Sequence, residues 1–153
     1  MNRTRTTIAF CTAIAAVAGL TSVSFGAASS TKLYSTMTGK AEKPAGDPDG
    51  SGVATLTLTS KRVCYSITVK KAGTTFAAGH IHTGARGKTG DPIIPLFSTS
   101  KKVKAGKLTG CATAKAADIN KVKAKPANYY VNIHNAAFAP GALRGQLTKN
   151  KPS

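Results

Sequence analysis

Acidic residues are scarce in this 153-residue chain: five Asp and Glu stand against 22 Lys and Arg, a formal charge of +17. A field of that sign draws a protein toward anionic polymers and surfaces, or steers small anions to it. Aromatic residues are few, at 6% with no Trp. None is interleaved with the lysines clustered at Lys101, Lys102, Lys104 and Lys107, or at Lys121, Lys123 and Lys125. With no stacking rings, and no helix-turn-helix or zinc-finger spacing, the basic surface reads as solvated charge suited to an anionic envelope and not as a specific nucleic-acid interface. Long apolar runs are missing except for one, Ile8 to Leu20, which is too short to span a bilayer. Arg3 and Arg5 precede it and Ser24, Gly26, Ala27 and Ala28 follow, the layout of a secretory signal peptide over residues 1–28. Residues 29–153 are then expected to form a single domain, secreted or held in the cell envelope, with 20 basic and 5 acidic residues.

Cysteine is rare as well. Cys11 belongs to the leader, which leaves Cys64 and Cys111. Outside the cytoplasm two cysteines most simply form one disulfide; two separate buried thiols are the alternative. Histidine is as rare as cysteine, and its three copies fall in two stretches. Gly79-His80-Ile81-His82-Thr83-Gly84 runs into a glycine-rich turn through Gly87 and Gly90, and Tyr129-Tyr130-Val131-Asn132-Ile133-His134 lies some fifty positions on. On extended strands successive side chains alternate between faces. His80 and His82 therefore share a face, as do Tyr130, Asn132 and His134.

If the two stretches meet, three imidazoles converge. Neutral imidazoles suit copper, zinc or nickel and leave a position open for water or a substrate. With no cysteine or carboxylate in either motif, copper is preferred over zinc; water, Tyr130 or Asn132 would complete the sphere. The competing reading has the histidines pin two loops together by hydrogen bonds. Gly84, Gly87 and Gly90 read as turn positions needing positive φ, and no helix start follows them to cradle a phosphate.

The remaining chain reads as short strands separated by turn residues. Alternation predicts strands over 32–40, 52–59, 62–70, 76–82, 92–97 and 106–113, then strands holding Tyr130 and Leu143. Pro92 and Pro95 suit a sheet edge. Residues 116–124, with Ile119 and Val122 three apart, are the one helical candidate. About eight strands with turns between them predict an all-β, Greek-key β-sandwich or barrel, of which immunoglobulin-like sandwiches are one form.

The ordered blocks Gly-His-Ile-His-Thr-Gly-x-x-Gly-x-x-Gly-x-Pro (79–92), Tyr-Val-Asn-Ile-His (130–134) and Pro-Gly-x-Leu-Arg-Gly-Gln-Leu (140–147) resemble the CHRD domain, the repeated module of chordin. The resemblance runs from about Leu33 to Leu147. Glu42-Lys43-Pro44-Ala45 stands where the family tends to have Glu-Val-Pro-Pro, and Ala142 where an acidic residue is usual. A fainter likeness to copper/zinc superoxide dismutase implies a superoxide-dismutase-like variant of that fold, copper ligation by His80, His82 and His134 and anion guidance by Arg144. The dismutase's bridging and zinc-loop histidines have no counterpart between His82 and His134. For Arg144 the residue chemistry favours a structural clamp on carbonyls or on Asp91.

Three functions fit these residues: a secreted binding module with a three-histidine copper site, a copper-dependent redox enzyme, and charge-driven adhesion to anionic envelope polymers. The binding module, without turnover, is the preferred one.

Overall fold

Alternating apolar and polar residues build most of the chain into strands. The structure, a computed structural model, describes residues 29–152, and the expected leader lies outside the described residues. In chain order the elements are β1 (Thr31–Thr38), β2 (Ser51–Leu58), β3 (Arg62–Lys70), β4 (Thr75–Phe76), β5 (Ala78–Thr83), β6 (Pro92–Phe97), β7 (Lys101–Lys102), β8 (Lys107–Thr113), α1 (Ala116–Ala124), β9 (Tyr129–His134) and β10 (Leu143–Gln146). Eight of the strands form one antiparallel sheet in the order β6-β5-β9-β10-β1-β2-β3-β8. The meander β1-β2-β3 takes β8 from far along the chain as its next neighbour, a Greek-key connection. The sheet curls until its two edge strands, β6 and β8, come within contact range, which makes a nearly closed barrel.

One face of every long strand fills the barrel. Leu33 and Met37 of β1, Leu56 and Leu58 of β2, Ile67 of β3, Ile81 of β5, and Val131 and Ile133 of β9 are wholly buried. Each such side chain contributes roughly 1.5 to 3 kcal/mol of transfer free energy. The helix α1 packs by Ile119 and Val122 alone, as their spacing predicts.

The expected strand over 76–82 is divided. Thr75 and Phe76 pair with Lys102 and Lys101 in a separate ribbon, and the chain enters the main sheet after the Ala77 amide, which donates to the His134 carbonyl at 2.8 Å. The two prolines do occupy an edge strand. Because neither can donate to the ladder, the register between β5 and β6 slips beside both histidines, between Gly79 and His80 and between Ile81 and His82.

Cys64 and Cys111 face each other directly across β3 and β8 and are bonded. The bridge lies on the outer face, opposite the row Val63, Tyr65, Ile67 and Val69, and ties the edge strand β8 to the meander.

Candidate metal centre

Strands β5 and β9 lie side by side, with His80 opposite Asn132, His82 opposite Tyr130 and Ala78 opposite His134. Since Ile81, Val131 and Ile133 point into the barrel, the three histidines, Tyr130 and Asn132 all point out of it. On the far side of β9, Arg144 and Gln146 of β10 stand opposite Asn132 and Tyr130. The result is a second, polar layer on the outside of the sheet. Loops covering it leave Asn132, Arg144 and Glu42 only 3%, 2% and 5% exposed.

The covering loops are tied to this layer atom by atom. His82 Nδ1 lies 2.9 Å from the Gly90 carbonyl, and His134 Nδ1 lies 2.9 Å from the Ala139 carbonyl. A carbonyl only accepts, so in each neutral ring the proton sits on Nδ1 and Nε2 is left as a bare lone pair. His82 Nε2 is buried with no hydrogen-bond partner, and so is Oδ1 of Asn132. His134 Nε2 lies 3.2 Å from Nδ1 of His80. The contacts to Gly90 and Ala139 thus leave Nε2 of His82 and His134 for a metal, whereas the bond between His80 and His134 would be exchanged for coordination.

The donor set fits a metal ion. Ligating atoms of His80, His82 and His134 all lie within 4.8 Å of one another. Imidazole nitrogens bound to one ion at about 2.0 to 2.1 Å lie about 3 to 4 Å apart, so the cluster closes on an ion with a contraction of roughly 1 Å. Burial, reinforced by His134 and His82, lowers the His80 pKa to about 4. Burial also lowers that of His82, with His134 and Arg144 adding to it and the bond to Gly90 and the Asn132 side chain opposing it. Both rings are therefore neutral at pH 7, the form that coordinates.

Arg144 organises the loops beside this cluster. Its Nη2 donates to the Lys88 carbonyl and makes a longer 3.5 Å contact to that of Ala85, so its partners are carbonyls of the glycine-rich turn and not Asp91. The guanidinium carbon lies 3.3 Å from the centroid of the Tyr130 ring, which in turn stacks on His82 at 4.9 Å and 12°. Arg144, Tyr130 and His82 thereby form one stacked column. Gly84 and Gly87 do take positive φ, at 131° and 76°, whereas Gly90 is small for a different reason: an added Cβ would run into the carbonyl of Thr83.

Two contributors escaped the sequence reading. Glu42 is buried under this layer. Burial raises its pKa, opposed by the Asn132 amide and the Arg144 guanidinium, and its Oε1 has no partner. A carboxylate accepts only, so it turns the Asn132 amide NH2 toward itself and leaves Oδ1 facing the histidines. A signal existed, since Glu42 is one of only five acids. Gln146 holds the base of the glycine-rich turn, the two protons of its Nε2 shared among the carbonyls of Gly84, Ala127 and Tyr129 at 2.9, 2.8 and 2.7 Å.

Fold and site together define an all-β barrel domain with a metal-competent imidazole cluster on its outer face. The chain belongs to the CHRD domain family, whose description matches residues 33–147. No curated protein and no solved structure matches it.

Proposed function

We propose that this protein is an exported CHRD-domain binding module that holds one copper ion through His80, His82 and His134. The observation supporting this most strongly is the convergence of the three imidazoles, with ligating atoms within 4.8 Å of one another and the buried Nε2 of His82 without a hydrogen-bond partner of good geometry. A metal ion would replace the His80–His134 hydrogen bond and supply the partner that His82 Nε2 lacks. Copper is favoured because all three protein donors are imidazoles, and an ion so held keeps positions open for water or a small anion. In this reading His82 and His134 are aimed by the carbonyls of Gly90 and Ala139, His80 by its place opposite Asn132, and Arg144 keeps the turn closed. The leader over 1–28 and the disulfide suit an oxidising compartment, where the surplus of basic residues faces anionic envelope polymers.

The test is a Cu(II) and Zn(II) titration of wild type beside His80→Ala and His134→Ala, followed by calorimetry. One equivalent bound tightly by wild type, with affinity lost in both variants and copper ahead of zinc, is the expected result. Equal affinity in wild type and either variant contradicts the site.

A further inference from the structure

A cleft of about 730 Å³ opens over the outer face of β1 and β10, sharing Arg144 with the histidine layer. Its walls carry Lys40, Lys43, Arg86 and Lys149, all exposed. Arg144 in its wall is buried and turned to the carbonyls of the glycine-rich turn, so these four are the cations of the wall free to meet a ligand. No carboxylate and no aromatic ring lines the cleft. Thr36, Thr38 and Thr148 add hydroxyl donors, and at Gly87 an added Cβ would meet nothing within 4 Å, so the turn's backbone is open to an approaching group.

We propose that this cleft binds a run of phosphate groups in a flexible, base-free polyanion of the polyol-phosphate type. The inference rests on the reading that the exported protein faces anionic polymers, and it gives that contact a place and a chemistry. Lysine ammoniums, an arginine fork and hydroxyls converging on one hollow match oxyanions that offer several acceptor oxygens. The lack of an aromatic wall disfavours nucleic acid, which in single-stranded form gains much of its affinity from stacked bases. A second basic hollow, of about 230 Å³ and lined by Lys101, Lys102, Lys104 and Lys107, provides an internal control with as many cations as the cleft leaves free.

Fluorescence anisotropy with labelled poly(glycerol phosphate), over a salt series, tests the proposal on two variants of identical net charge. Lys40→Glu/Lys149→Glu is expected to weaken binding at least about tenfold and to lower the slope of log affinity against log salt by about 2, one per lost phosphate contact. Lys101→Glu/Lys102→Glu should change affinity by less than about threefold, the effect of a distant charge on a screened surface. Equal losses in the two variants would mean adhesion by overall charge and no cleft site. Binding of heparin or polyglutamate as tight as that of the phosphate polymer would overturn the phosphate assignment. No binding of any polyanion by wild type would remove the underlying reading as well. Unchanged thermal unfolding and copper uptake in both variants shows that the fold and the histidine layer are intact.

Discussion

Replacing Arg144 by Met should cost the metal-free protein about 2 to 4 kcal/mol, the scale of a lost charged hydrogen bond together with a desolvated cation–π contact. The structure supplies three reasons. Glu42, 5% exposed, loses the cation beside it. The carbonyls of Lys88 and Ala85 lose their donor, a charged hydrogen bond of about 1.5 to 3 kcal/mol. The Tyr130 ring loses a desolvated cation held 3.3 Å from its centroid, on the order of 2 kcal/mol. These overlap, because they describe one side chain, so the expected loss stays below their sum. Urea unfolding of metal-free wild type, Arg144→Met, Glu42→Gln and the double variant measures the loss and its origin. If the buried carboxylate carries much of it, the double variant recovers at least about 1 kcal/mol relative to additivity. A loss under about 1 kcal/mol in Arg144→Met would refute the clamp and leave the side chain free for guiding anions.

Other consequences are independent of that residue. Reducing the Cys64–Cys111 bond, which spans 47 positions, should remove about 4 kcal/mol by chain entropy and lower the melting temperature by roughly 15 °C; a shift of only a degree or two would show the edge strand to be held by other contacts. His80 binds its proton less readily folded, at about 4, than unfolded, near 6.5. Metal-free wild type should therefore lose stability relative to His80→Ala as pH falls from about 6.5 to about 4, and no difference in slope over that window would contradict the burial of the ring. Gly90→Ala should weaken copper binding about tenfold or more by displacing the carbonyl that holds the His82 proton, with unchanged affinity as the contrary result. Superoxide should decay with copper-loaded wild type no faster than with His82→Ala; a clear excess would establish a redox enzyme.

Strand positions were legible wherever burial imposed a two-residue period. Val63, Tyr65, Ile67 and Val69 fixed β3, and Pro92 with Pro95 fixed the edge. The same period placed the histidines on one face, because His80 and His82 flank the buried Ile81. The outer polar layer was less legible. It depends on loops folding back over the sheet, and nothing local to Glu42 announces that it will lie under Asn132 and Arg144. Nor could spacing distinguish the nitrogens of His82, since which atom holds the proton is decided by Gly90, eight residues away. Gly90 itself was misassigned because positive φ and close approach favour the same residue, and only coordinates separate them.

The account stands on three rings from β5 and β9 acting as one ligand set. Electron spin echo spectroscopy of the protein loaded with one equivalent of Cu(II) counts coordinated imidazoles through their remote nitrogens. Three are predicted for wild type and two for each of His80→Ala, His82→Ala and His134→Ala. A spectrum with fewer than three imidazoles in wild type, or one unchanged by any of these substitutions, would contradict it.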